Sequence, residues 1–188
     1  MTARLTIPPQ LFTTLISGLA ERGRGHRESG AFLLTGSDHP LDELPQPVTE
    51  IAFYDDLDPG CLTGRIDFHS VGYVALQQLC RRDGLRVVAD IHTHPADRVQ
   101  QSRIDADHPM VALDGHVALI APNFAAGVTD ASQLGVHLRA DGAWTSYYAD
   151  RAAGLVLVPQ PIPAAEPASW WRRLLSRLPF RHPSQETR

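Results

Sequence analysis

Three residues in one stretch carry ligand chemistry. His92 and His94 are separated by Thr93, and Asp105 follows His94 by eleven residues. In a strand, residues i and i+2 point to the same face, so His92 and His94 would project two imidazoles side by side. Pro95 comes next and stops the strand, because it cannot donate to the ladder. The chain then turns away and returns a carboxylate. Two imidazoles and one carboxylate leave one position of a tetrahedral zinc for water, the pattern of a catalytic rather than a structural site. Ser102 and Asp105 also read as a capping box at a helix start. The two readings are compatible, since a cap would fix where Asp105 points.

These residues need a frame. The spacing predicts a strand over Leu85–His94, where consecutive Val87, Val88 and Ala89 argue for burial on both faces. Before it, Phe68–Arg82 reads as a helix with Val71, Val74, Ala75 and Leu79 on its buried side and Gly84 as the stop. Leu5–Pro8 suggests a short strand. Pro9–Glu21 reads as a helix with Leu11, Phe12, Leu15, Ile16 and Leu19 on one face, ended by Gly23 and Gly25. Ala31–Leu34, closed by Gly36, is a buried strand, and Val48–Tyr54 another. Asp55–Asp67 has turn chemistry. Val117–Ile120 is a further strand, and Leu134–Arg139 with Trp144–Tyr148 forms a hairpin around Ala140-Asp141-Gly142. The expected class is a three-layer α/β (α+β) domain, a mixed sheet flanked by helices.

The expected domain spans 1–150. Residues 151–167 read as a strand and a Pro-rich linker, stiffest over 159–167. Residues 168–188 read as a basic amphipathic helix and tail, with Trp170, Trp171, Leu174, Leu175 and Leu178 opposite Arg172, Arg173 and Arg177. Such a helix folds back on its own domain, docks on a partner, or lies on a membrane surface.

Composition bounds the function. The chain has 188 residues, 43% of them hydrophobic and 20% charged, which suits one folded domain with a tail. The net charge of -4 gives no general attraction to nucleic acid or to an anionic membrane. Cys61 and Cys80 are too far apart for a zinc ribbon or a redox motif, and two reduced thiols are expected. The N-terminus lacks the apolar stretch of a signal peptide, and no segment approaches the ~18 apolar residues of a membrane span. The expected compartment is the cytoplasm. All 17 basic residues are arginine, a style that fits a GC-rich bacterial genome.

His92-Thr93-His94-Pro95, six residues, Ser102, two residues and Asp105 resemble the JAMM motif of the JAB/MPN zinc metalloproteases. Glu28-Ser29-Gly30 and the apolar run to Gly36 are similar to the family's upstream glutamate segment. The resemblance covers roughly residues 5–125. It implies the cytidine-deaminase-like MPN fold, one catalytic Zn2+ held by His92, His94 and Asp105, Glu28 as general base and acid, and Ser102 as an oxyanion donor. On periodicity alone Glu28 would be a surface acid beside Arg27. Thr93 faces the other way and reads as packing. Asp90 shares the ligands' parity and reads equally as a support for the ligands or as a strand-edge salt bridge. Asp107 and His108 read as solvated loop. His26, His39, His69, His116, His137 and His182 read as ordinary surface or core histidines.

The resemblance also implies a substrate: a peptide or isopeptide bond after the C-terminal Gly-Gly of a ubiquitin-like protein, reached by strand addition. Bacterial relatives of this size work beside E1-like and E2-like enzymes, some of them in antiphage defence, which implies a deubiquitinase-like role in deconjugation or modifier maturation. Two other readings stand beside it. One is a peptidase for sulfur-carrier proteins of the ThiS/MoaD kind, which also end in Gly-Gly. The other is a zinc-free MPN scaffold, a class that usually lacks one or more of the five residues present here. A RadC-like reading fits less well, because Ala96–Gln101 carries neither Gly nor Pro.

Overall fold

The computed structural model describes residues 2–159. The linker from residue 160 on and the helix expected over Ala168–Pro179 lie outside the described residues. In chain order the elements are β1 (Leu5–Thr6), α1 (Pro9–Gly23), β2 (Gly30–Gly36), β3 (Gln46–Pro47), β4 (Glu50–Phe53), α2 (Tyr54–Leu57), α3 (Ser70–Asp83), β5 (Leu85–Thr93), α4 (Arg103–Asp107), β6 (Val117–Ala121), β7 (Gly135–Ala140), β8 (Ala143–Tyr147), α5 (Asp150–Leu155) and β9 (Val156–Leu157). Two short 3-10 turns, Asn123–Ala125 and Ala131–Gln133, lie between β6 and β7.

Six strands form one mixed sheet in the order β4-β2-β5-β6-β7-β8, with β5 and β6 parallel and the other pairs antiparallel. From Ala89 on, the residues of β5 alternate between the two faces; a bulge opposite Leu33 and Leu34 puts the consecutive Val88 and Ala89 in the same core. Ala31, Leu33, Ala89, Ile91, Val117, Leu119 and Val136 pack on one side with Phe12, Leu15, Ile16 and Leu19 of α1. Phe32, Leu34 and Ala52 pack on the other with Tyr54 and with Leu76 of α3. The result is a mixed sheet between helical layers, the expected three-layer class. A second, all-parallel sheet of order β3-β1-β9 closes the α1 side. Through it and α5, residues just beyond 150 join the same core: Ala152, Leu155 and Val156 are all buried there.

Most elements fall where the apolar runs place them. The β7–β8 turn is the two-residue Asp141-Gly142, both at positive φ (52° and 73°), which matches the right-handed twist of paired strands. Three expectations need correction. The strand expected over Val48–Tyr54 ends at Phe53, and Tyr54 opens α2 instead. Helix α1 runs on to Gly23 and is closed by Arg24 in the left-handed region, with Gly25 following. The buried residues of α3 are Gly72 and Leu76, while Val71 and Val74 are 58% and 54% exposed. Periodicity defines the stripe on α3 but does not say whether another layer covers it.

Cys61 and Cys80 are free thiols, and burial pushes the Cys61 thiol up to about 11. Among the described residues, no helix is long and apolar enough to cross a membrane.

The packing gives a paired expectation. Leu119→Ala should cost ~2–5 kcal/mol, because Leu119 is fully buried between the sheet and α1. Val74→Ala should change stability by less than about 0.5 kcal/mol. Urea denaturation of both variants checks this, and a large loss at Val74 would mean that the α3 stripe is covered.

Candidate metal centre

His92 sits at the C-terminal end of β5, between Gly30 of β2 and Ile120 of β6. Gly30 is required at its place, because a Cβ there would collide with the Tyr54 ring. His94 lies just past the strand, and its N–H donates to the Ala121 carbonyl at 2.9 Å. The chain then meets an unusual turn. Asn123, Phe124 and Ala125 all take positive φ (52°, 54° and 65°) without a glycine among them. Such backbone costs on the order of 1 kcal/mol or more per residue and persists only where its surroundings enforce it. Here it points two amides at the ligand loop: Phe124 N–H donates to the His94 carbonyl at 2.8 Å and Asn123 N–H to the Ala96 carbonyl at 2.9 Å.

Asp105 comes from α4. Ser102 is its N-cap: the Ser102 hydroxyl oxygen accepts the Asp105 N–H at 3.2 Å, and the Asp105 carboxylate accepts the Ser102 N–H at 2.6 Å. The capping box is therefore present, and it aims the carboxylate at the histidines. His92 Nε2 lies 3.2 Å from His94 Nε2. Asp105 Oδ1 lies 3.7 Å from the first and Oδ2 3.3 Å from the second. Ligands of a tetrahedral zinc at ~2.0–2.1 Å stand about 3.3 Å apart; the His92–His94 and His94–Asp105 separations match that spacing, while Asp105 approaches His92 through its other oxygen at 3.7 Å. The rings are turned the right way too. His94 Nδ1 lies 3.0 Å from the Arg98 carbonyl, which only accepts, so Nδ1 is protonated and Nε2 is the ring nitrogen turned to His92 and Asp105. The three side chains can hold a metal ion.

The charges respond to this closeness. Burial works against the Asp105 carboxylate, but hydrogen bonds from His92 and His94 outweigh it and hold the group far below the ordinary carboxylate range. Burial also works against a charged His94; the Asp105 hydrogen bond and the Arg98 carbonyl outweigh it and raise its pKa. A proton shared in this cluster stands where a cation would bind.

Glu28 lies two residues before β2, half-buried on the wall of the same cavity. Its backbone N–H donates to the Gly64 carbonyl at 2.9 Å. Next to it, the fully buried Ser29 hydroxyl donates to the Leu19 carbonyl of α1 at 2.8 Å, and the Ser29 N–H donates to Thr93 Oγ1 at 3.0 Å. Thr93 thus faces away from the ligands, as expected, and pins the stretch that leads from Glu28 into β2. Burial raises the Glu28 carboxyl, with His92 and His94 pulling the other way.

The cavity is about 420 Å³ and reaches below the ligands to Asp90 and Tyr54, with Met110 and Trp144 on its walls. Asp90 is not at a strand edge. The residue is 2% exposed, and its carboxylate lies 2.6 Å from His116 Nε2 and accepts the Tyr54 hydroxyl at 3.3 Å. His116 and His137 are both buried, and neither is singled out by the sequence. Their roles depend on strand register, which puts Phe32, Asp90, Ala118 and His137 in one row across the sheet. Asp107 and His108 end α4; Asp107 meets Arg103 at 3.4 Å, and His108 lines the cavity.

No family model matches the chain. The fold is shared with two proteins of known solution structure. One, from Desulfitobacterium hafniense, is 15% identical over 85% of this chain and 95% of that chain, with a TM-score of 0.55. The other, from Salinibacter ruber, is 18% identical over 86% and 94%, with a TM-score of 0.51. Structural neighbours also include a JAB1/MPN domain protein from Archaeoglobus fulgidus, 14% identical over 78% of this chain and 96% of that chain, with a TM-score of 0.38.

One titration follows from burial alone. Desolvation lowers His137 from the ordinary 6.5 to about 4, against the pull of the Val99 carbonyl. Between pH 6.5 and about 4 the unfolded chain binds a proton that the folded chain refuses, so stability falls as pH falls through that window. From pH 7 to pH 5, wild type should lose more unfolding free energy than His137→Gln in urea titrations. Equal losses would show that His137 titrates normally.

Proposed function

We propose that this chain is a zinc metallopeptidase of the JAB/MPN type that hydrolyses the amide bond after the C-terminal Gly-Gly of a ubiquitin-like protein. The observation that carries this reading is the convergence of His92 Nε2, His94 Nε2 and the Asp105 carboxylate in one corner of a cavity that has Glu28 on its wall. His92, His94 and Asp105 would hold the metal. A zinc ion supplies Lewis acidity there, polarising a carbonyl and making water a nucleophile near neutral pH.

The remaining chemistry belongs to the chain. As the water oxygen joins the carbonyl carbon, the Glu28 carboxylate takes its proton; as the carbon–nitrogen bond breaks, Glu28 returns that proton to the leaving amine. A carboxyl raised by burial is suited to both halves of this exchange. Ser102 accepts a backbone N–H through its oxygen, which leaves its own O–H proton free to donate to a developing oxyanion. Gly-Gly would suit the site, because a chain without side chains can bring its backbone close to the ligands.

Two measurements test this. Metal-free protein should bind one zinc, with affinity falling as pH drops and protons compete for the imidazoles; Ala at His92, His94 or Asp105 should weaken binding strongly. A ubiquitin-like protein fused through Gly-Gly to a reporter, with a sulfur-carrier fusion beside it, should be cut after the second Gly, read by mass spectrometry. Chelator should abolish cleavage, and Glu28→Gln should reduce it ~10²–10⁴-fold while zinc stays bound. Cleavage that persists in chelator would overturn the proposal.

A further inference from the structure

We infer that His137 is a positioning residue for the metal centre, holding the ligand loop at the Val99 carbonyl and thereby fixing the direction of His94. The inference rests on the reading of His92, His94 and Asp105 as metal ligands.

The loop Ala96–Gln100 has mostly exposed side chains, so side-chain burial does little to place it. Backbone carbonyls place it instead. Ala96 is held by Asn123, Arg98 by His94 Nδ1, and Val99 by His137 Nε2 at 3.0 Å. Two imidazoles from neighbouring parts of the sheet thus grip consecutive carbonyls. The two carbonyls belong to adjoining peptide units joined at the Val99 Cα, so release of Val99 would let the Arg98–Val99 peptide turn and move the acceptor that orients His94.

His137 is built for this task. It is fully buried on β7, directly opposite Ser146 of β8. A carbonyl only accepts, so His137 Nε2 carries the proton and Nδ1 is a lone pair. Ser146 Oγ, 2.8 Å from Nδ1, must therefore donate, and this bond locks the tautomer that grips the loop. A ring held neutral by burial keeps that tautomer through the neutral range. Gly135, two residues before it, lets the loop lie flush on β7: a Cβ there would collide with the Val99 carbonyl oxygen. At the far end, the Trp144 indole N–H on β8 donates to the Ala106 carbonyl of α4 at 3.3 Å. The β7–β8 hairpin thus braces both ends of the segment that brings Asp105 to the histidines.

The test uses the full chain, stripped of metal, with zinc affinity read by competition with a chromophoric chelator. The cobalt-substituted protein gives visible absorption as a report on ligand geometry. Wild type should bind one zinc. His137→Phe should weaken binding ~10–100-fold and alter the cobalt spectrum, while the metal-free Tm stays within about 5 °C. His137→Gln keeps an N–H donor and should recover most of the affinity. Should His137→Phe fail to fold, Ser146→Ala decides: it unlocks the tautomer and should weaken zinc several-fold. Wild type without zinc would remove the metal reading and this inference together. Wild type with tight zinc, and either an equally tight His137→Phe or Ser146→Ala, or a His137→Gln as weak as His137→Phe, would overturn the inference alone.

Discussion

The two-residue alternation of β5 is the constraint on which the molecule turns. The strand runs through the middle of the sheet and serves two sides at once. Ala89, Ile91 and Thr93 fill the α1 side, while Asp90 and His92 face the other. A slip of one residue would put both polar side chains into an apolar core and the isoleucine into the cavity. Pairing on both flanks, antiparallel with β2 and parallel with β6, prevents that slip. Polar groups on a central strand also require the second helical layer to be incomplete. Helix α3 covers the β2 and β4 side, packing Leu76 near Phe32 and Leu34, and the space over β5 to β7 is left for the cavity and α4.

Much of this was legible in the residues, for particular reasons. His92, His94, Ser102 and Asp105 were readable because alternation and capping are local rules. The strand at Ala31–Leu34 was readable because a short apolar run bounded by glycine has few other uses, and the hairpin because Asp-Gly favours its turn. What was not legible depends on partners distant in sequence. His116 and His137 gain roles only through the registers Asp90↔Ala118 and Ala118↔His137. Strand β3 is two residues long and carries no period to detect, and the equally short β1 and β9, expected as strands, gave no sign that all three pair in a second sheet. The left-handed turn at Asn123–Ala125 lacks the glycine that would announce it, because hydrogen bonds to His94 and Ala96 enforce it rather than local preference.

Buried polarity is concentrated beside the ligands. Asp90, His116 and Tyr54 satisfy one another under the cavity floor, and Ser29 with Thr93 does the same behind it. A buried carboxylate is costly unless paired, and pairing across strands makes its position specific. The aromatic group of Phe32, Tyr54, Phe68 and Tyr73, with adjacent centroids 4.8 to 5.6 Å apart, gives this cluster a stiff backing.

Helix α3 differs in kind from the rest of this scaffold. It buries few side chains, yet its Tyr73 hydroxyl donates to the Met110 carbonyl at 3.2 Å and so links it to the cavity wall. Elements with little buried apolar area open at far lower free energy than the sheet beneath them. Helix α3 contributes no residue to the cavity lining, so a local opening of this helix would reach the site only through the Tyr73–Met110 link, while Trp144 of β8 stands in the wall itself. The strand that carries the imidazoles is insulated from such an opening by its pairing on both flanks.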